Sequence, residues 1–297
     1  MAHYYDDNTI IFLDGKFVKA SEARTDLFGQ TMHYGYGAFE GIRSYKTVHG
    51  TKIFKPFEHY ARLRHSCQLL GIPFDYSVDE LTQISYQVLE RNGLANAYLR
   101  PLVFCGPNMS LTAPKEVSLM IAAWDWGKYF SHSSLKVCIS GIQRPNPKSL
   151  KMEAKACGHY VNSIMATMEA KERGFDEALM LDMNGNVAEG PGANFFFEKH
   201  GKLFTPPLGS ILPGITRKTV LEICHELDIK VEERFFKPEE LFDADCAFFC
   251  GTAAEVTTIE SIDGQPFRKA WKKSLGAVIQ EAYHNIVLDR SYSYVIV

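Results

Sequence analysis

Apolar residues in this chain arrive mostly in short runs of strand length, bounded by Gly, Pro and Asn, and only a few stretches carry them at helical spacing. A chain punctuated in this way builds sheets covered by helices. Thr9 to Phe17 places an Asp14-Gly15 turn between two apolar runs, the pattern of a β-hairpin. Phe57 to Leu70 is amphipathic and stops at Gly71, and Ser77 with Glu80 forms a capping box for a helix running to about Arg91. Ala97 to Phe104 and Val117 to Trp124 read as buried strands.

From Trp126 to Ser134 the sequence loses periodicity and gains polar residues. The expected organisation is therefore a small N-terminal domain over 1–125, a connection over 126–134 and a larger domain over 135–297. The second part predicts a strand near Leu135 to Gly141, a helix from about Gly158 to Arg173, and strands Glu177–Asp182 and Asn194–Glu198. A helix after Pro213-Gly214, a short one over Pro238 to Phe242, a strand over Asp245 to Cys250 and an amphipathic helix from about Phe267 to Tyr283 follow. With 297 residues, 46% of them hydrophobic, the chain can build a core for each part.

A formal charge of -3, with Lys and Arg scattered, argues against a nucleic-acid backbone as partner and for small molecules. Seven widely spread cysteines read as reduced thiols of the cytoplasm. The N-terminus lacks the basic start and apolar core of a signal peptide, and the longest apolar stretches are too short to span a bilayer. Gly35 to Gly41 imitates a dinucleotide fingerprint, but its third glycine comes one position late. Cys246 and Cys250 lack the second pair that a zinc site needs, so no metal is expected.

What remains is chemistry around one lysine. Lys155 lies in Glu153-Ala154-Lys155-Ala156-Cys157-Gly158, where small neighbours leave room for a flat ring to approach the amine, although a lysine of this kind is more often a solvated surface residue. Glu189 lies in Val187-Ala188-Glu189-Gly190-Pro191-Gly192, whose glycines let backbone come close to a ligand; the plain alternative is a solvated turn. Leu212-Pro213-Gly214-Ile215-Thr216-Arg217 opens a helix, either with Thr216 as an ordinary cap or with free N–H groups ready for a phosphate. Gly251-Thr252-Ala253-Ala254-Glu255 places small residues directly after a buried strand. Tyr98 and Arg100 alternate on a strand, so both face one side and can hold a carboxylate, unless Arg100 merely snorkels from a sheet edge.

Taken together, MHYGYGAFEGIRSY, AYLRPLVF, the Lys155 to Tyr160 run, AEGPGANFF, LPGITR and FFCGTAAEVT stand in the order of the branched-chain aminotransferases of the fold-type IV pyridoxal-phosphate enzymes, which this chain resembles from about Ile10 to Tyr283. The resemblance implies a mixed α/β (α+β) fold, with a small N-terminal α/β sandwich domain and a larger C-terminal pseudo-barrel domain. It also implies pyridoxal 5'-phosphate held as a Schiff base on Lys155, the catalytic residue. Tyr160 would meet the phenolic oxygen, Glu189 the ring nitrogen, and Arg62, Ile215, Thr216 and Thr252 the phosphate, with Gly192 and Asn194 passing the ring. Tyr98 and the Thr252-Ala253-Ala254 turn would bind the substrate α-carboxylate, and Phe39, Tyr34, Trp126 and Tyr160 would form the apolar wall. Arg100, Tyr34 and Tyr129 would take the side-chain carboxylate of glutamate.

The activity so implied is exchange of amino groups between Leu, Ile or Val and 2-oxoglutarate, in biosynthesis or breakdown of branched-chain amino acids. D-amino-acid aminotransferases and aminodeoxychorismate lyases resemble it in fold and cofactor, and a binding protein that lost its chemistry is the alternative of another class. Members of this fold usually pair, so at least a homodimer is expected. Cys157 and His159 depart from the smaller or amide residues often found beside the lysine.

Overall fold

The computed structural model describes residues 4–127, 130 and 132–290. Two compact units emerge. One runs to Gly127 and also takes in Ala154–His159; the other holds the intervening residues to Glu153 and the chain from Tyr160 onward. This differs from the sequence expectation at one place that matters, because Lys155 was expected within 135–297 and instead packs with the first unit.

The first unit contains strands Ile10–Leu13 (β1), Lys16–Lys19 (β2), Gly37–Phe39 (β3), Ile42–Thr47 (β4), Gly50–Ile53 (β5), Ala97–Cys105 (β6) and Val117–Trp124 (β7). Its helices are Gln30–Tyr34 (α1), Pro56–Leu70 (α2) and Val78–Arg91 (α3). The Asp14-Gly15 hairpin forms as expected, with both turn residues at positive φ. Helix α2 ends on Gly71 in the left-handed conformation, and the Ser77–Glu80 capping box is complete at the start of α3. The sheet order is β2-β1-β7-β6-β4-β5, with β3 pairing β6 just beyond β4. Tyr60, Leu63 and Cys67 of α2 and Leu81, Val88 and Leu89 of α3 join Ile42, Leu99, Val103 and Ile121 in one core.

The second unit contains Ser134–Ile139 (β8), Glu177–Leu181 (β9), Val187–Glu189 (β10), Asn194–Lys199 (β11), Lys202–Thr205 (β12), Val231–Glu233 (β13), Cys246–Gly251 (β14), Glu255–Ile262 (β15) and Gln265–Pro266 (β16). Helices Tyr160–Glu172 (α4), Ile215–Glu226 (α5) and Leu275–Val287 (α6) accompany them. Strand pairing runs β10-β9-β8-β15-β14-β11, and β11 pairs again with β10, so these strands close on themselves as a barrel, with β12 and β13 extending from β11. Alternation along Asn194–Lys199 puts Phe195 and Phe197 in the core with Leu179, Val187 and Phe249, while Phe196 stacks on Phe248 of the neighbouring strand. The last helix begins later than Phe267, at Leu275, because the Ser274 hydroxyl accepts the Ala277 N–H and so sets the cap. Among the described residues no helix is long and apolar enough to cross a membrane.

Candidate active site

Small residues around Lys155 let its segment lie directly against β3. Ala156 bridges Ala38, the Phe39 N–H donates to the Lys155 carbonyl at 3.1 Å, and the Gly158 N–H donates to Gly35 at 2.9 Å. Gly35 is required here, since it has φ +64 and a Cβ would come within 2.8 Å of Gly158 Cα. On the other side, the Lys155 N–H donates to Ser66 Oγ of α2 at 3.0 Å. The side chain brings Nζ to 5.0 Å from the Phe39 ring centroid. Burial lowers the amine to about 8; Arg62 and Arg100 push it the same way, while Glu40 and Tyr98 oppose them. A solvated surface lysine has none of these features.

Beside it lies a buried charge cluster. The break between β3 and β4 falls at Glu40-Gly41, and it turns the Glu40 side chain inward, fully buried. Arg62 grips that carboxylate with Nε at 2.7 Å from Oε1 and Nη2 at 2.9 Å from Oε2, and His59 Nδ1 lies 2.7 Å from Oε2. His59 and Arg62 reach it together because residues three apart share a helix face. Burial works to raise the Glu40 carboxyl, but Arg62 and His59 overcome it and hold it well below the carboxylate range. Glu40 stands in a run that the sequence suggests for lining a pocket, but nothing there gives its carboxylate a role, and His59 carries no signal of its own. The available signal was their placement, in the run after Phe39 and one helical turn before Arg62.

Tyr98 and Arg100 do face the same side of β6, where Arg100 Nη2 donates to the Tyr98 hydroxyl at 3.3 Å. Strand β6 lies inside the sheet, so Arg100 does not snorkel from an edge. Its guanidinium stands 4.7 Å over the Phe39 ring, 5.4 Å over Tyr98 and 5.9 Å over Trp124. Trp126 sets its edge on Tyr98 at 4.5 Å. Gly41 leaves the space for Tyr98, because a Cβ there would fall 1.8 Å from its hydroxyl. Among the described residues, Arg100 Nε and Trp124 Nε1 are buried donors without an acceptor, the condition that invites an anion or water. Tyr34 stands apart from this wall in exposure, being half exposed with its hydroxyl donated to Met109 at 3.0 Å. Tyr129 lies outside the described residues.

In the second unit Glu189 is buried at the end of β10 rather than in a solvated turn. Asn194, its partner across the pair of strands, donates Nδ2 to Glu189 Oε2 at 3.0 Å, and the Leu212 N–H lies 3.2 Å from each carboxylate oxygen. Arg144 Nε sits 3.0 Å from Oε1 as an ion pair, its N–H not aimed well enough for a hydrogen bond. Arg144 had no recognisable sequence signal, since it stands alone in a polar stretch. Gly214, not Thr216, is the N-cap of α5, and it supplies no side-chain cap. Ile215 and Thr216 therefore occupy the first turn, with Thr216 buried. The Thr252-Ala253-Ala254 turn joins β14 to β15, with Gly251 packed on Gly192: a Cβ at Gly251 would meet the Gly192 carbonyl at 3.2 Å.

Residues 37–262 match the amino-transferase class IV family. The chain belongs to the class IV aminotransferases. Of curated relatives, the branched-chain-amino-acid aminotransferase of Pseudomonas aeruginosa is 38% identical to it over 295 residues, covering 97% of this chain and 96% of that one. Of solved structures, the branched-chain amino acid aminotransferase of Escherichia coli superposes with a TM-score of 0.92 at 34% identity, covering 96% of each chain. The branched-chain amino acid aminotransferase of Thermobaculum terrenum, solved in its PLP-bound holo-form, does so with a TM-score of 0.88 at 32% identity, again covering 96% of each chain.

Within this class IV aminotransferase one of the two departures beside the lysine, Cys157, is chemically quiet. Burial pushes the Cys157 thiol up to about 11, which leaves it protonated and unreactive near neutrality. His159 is buried in the turn that leads into α4 and Tyr160.

Proposed function

We propose that this chain transfers amino groups between the branched-chain L-amino acids Leu, Ile and Val and 2-oxoglutarate, using pyridoxal 5'-phosphate. The observation that carries the substrate reading is an aromatic wall of Phe39, Tyr98 and Trp126 that contains a guanidinium whose Nε lacks an acceptor. Such a wall suits a branched aliphatic side chain, and the waiting cation suits the second carboxylate of glutamate.

The residues present fit the cofactor. Lys155 offers a desolvated amine, Glu189 a buried carboxylate, and α5 a first turn with no side-chain cap. In this reading Arg62, the Ile215 and Thr216 N–H groups and Thr252 hold the phosphate. Tyr160 meets the phenolic oxygen, and Gly192 and Asn194 border the ring. When bound, the cofactor serves as an electron sink for negative charge developing at the substrate Cα. Glu189 pairs with the ring nitrogen while Asn194 and Arg144 keep its carboxylate in place. Lys155 would anchor the cofactor and, within each half-reaction, would serve as the base that takes the proton from the substrate Cα and then as the acid that gives it up. Tyr98 and the Thr252-Ala253-Ala254 turn receive the α-carboxylate, and Arg100, with Tyr34 and Tyr129, the side-chain carboxylate of glutamate.

Leucine with 2-oxoglutarate should outrun D-alanine and aminodeoxychorismate when the three are assayed side by side. Faster turnover of either of the others refutes the substrate assignment. Lys155→Ala should abolish transamination altogether, and a variant retaining it rules out the lysine.

The protein acts as a homodimer or larger homo-oligomer in this reading. Leu27, Phe28, Met32 and Leu111 in the first unit and Val161, Ile164, Met165 and Met168 along α4 are exposed apolar residues that support it. Light scattering on the purified protein tests this, and a monomer at micromolar concentration refutes it. All seven cysteines are unpaired, which supports a reducing, cytoplasmic setting.

A further inference from the structure

Lys155 is clamped between two elements, β3 through the Phe39 N–H and α2 through Ser66 Oγ. Glu40 joins the same two elements. It follows Phe39 directly and is bound by Arg62 and His59 of α2, with Ser66 one further turn along the same helix. No substrate or cofactor role has been given to this carboxylate, yet a fully buried charge held by three close contacts has a large desolvation cost and calls for an explanation.

We propose that Glu40 is a positioning residue for Lys155: it fixes the Arg62 guanidinium by a two-point grip and supplies the counter-charge that lets an ammonium form at that buried position. The inference rests on the transaminase reading only in that Lys155 is the attachment point. The groups acting on the amine include Arg62 from α2, Tyr98 and Arg100 from β6, and Glu40 from the break after β3, and the amine in turn acts on His59. Of these Arg62 and Glu40 act with opposite sign. The two are therefore opposed at the amine: Arg62 adds to the lowering that burial begins, and Glu40 limits it while holding Arg62 where it is. His59, pulled down by burial against the pull of Glu40, completes the grip as a hydrogen-bonding partner.

The test follows the pH dependence of Lys155 acetylation by acetic anhydride in the full-length chain stripped of cofactor, with the Lys155 peptide quantified by mass spectrometry. Glu40→Gln keeps shape and removes charge, and it should move the reactivity midpoint downward by about one pH unit, the usual effect of one nearby opposite charge. Arg62→Gln should move it upward, and the double variant should return toward the parent value. Opposite shifts cannot come from general loosening, which would move both variants toward the ordinary lysine value. An unchanged midpoint in a folded Glu40→Gln chain overturns the proposal. Should that variant fail to fold, the double variant is compared with Arg62→Gln instead, and a midpoint no lower than that of Arg62→Gln overturns it. Neither measurement involves substrate or cofactor, so failure of the transaminase reading and failure of this one are separable.

Discussion

Replacing Arg100 by Met separates recognition of the two substrate classes. Met keeps an unbranched stem of similar bulk against Phe39 and Tyr98 while removing the cation that stands 4.7 Å over one ring and 5.4 Å over the other. Hydrogen bonds to a charged group contribute about 1.5–3 kcal/mol, so kcat/KM for glutamate and 2-oxoglutarate should fall about ten- to a hundredfold. Leucine, which brings no second carboxylate, should lose less than about threefold, since volume-conserving swaps in a packed wall cost little. Single-turnover half-reactions with each amino acid measure the two losses independently. The unliganded protein should also melt no lower than the parent, because Arg100 Nε is buried without an acceptor and its removal leaves no charge unpaired. Equal losses for glutamate and leucine, or a large drop in melting temperature, would refute the argument, since either would make Arg100 a structural residue.

Gly214→Ala should weaken cofactor binding by about tenfold or more, because the new Cβ would fall 1.9 Å from Asn194 Oδ1 and displace the amide that donates to Glu189; a cofactor titration with unchanged affinity contradicts this. Glu198, fully buried, takes the Leu275 N–H at the start of α6 at 2.7 Å and pairs with Lys269. Glu198→Gln should therefore lower unfolding free energy by about 2 kcal/mol, discounting the partly exposed Lys269, and a urea midpoint equal to the parent's speaks against it. Because the Lys155 amine sits at about 8 rather than at the ordinary lysine value, its neutral form grows as pH rises through that point. Covalent capture of cofactor should accelerate between about pH 7 and 9 and then level off; acceleration continuing unchanged past about pH 10 is the contrary result.

Much of this was legible in the chain. The Asp14-Gly15 hairpin, the Gly71 stop and the Ser77–Glu80 box are local devices, specified by residues a few positions apart, and each formed where its sequence predicted. The pairing of Tyr98 with Arg100 followed from strand alternation alone. Lys155 and Glu189 were recognisable as residue types in suggestive company, and the class IV family match covers all but the first few residues of the segments that carried the resemblance.

Other features depended on contacts between residues far apart in sequence. The packing of the Lys155 segment with the first unit rests on its bonds to the Phe39 N–H, the Gly35 carbonyl and the Ser66 hydroxyl, none of which leaves a trace near the lysine itself. Glu40 and His59 became a buried pair only when the strand break met α2, and Arg144 became the partner of Glu189 only when a polar loop returned to β10. Closure of the barrel likewise needs β11 to meet β10 as well as β14, a pairing no local pattern encodes. Local elements and the kinds of chemistry at hand follow from residues near one another in the chain, because propensity, capping and alternation act over a few residues. Which charges are buried and which couple emerges only on folding, because burial and Coulomb coupling depend on distance in space and not on separation along the chain.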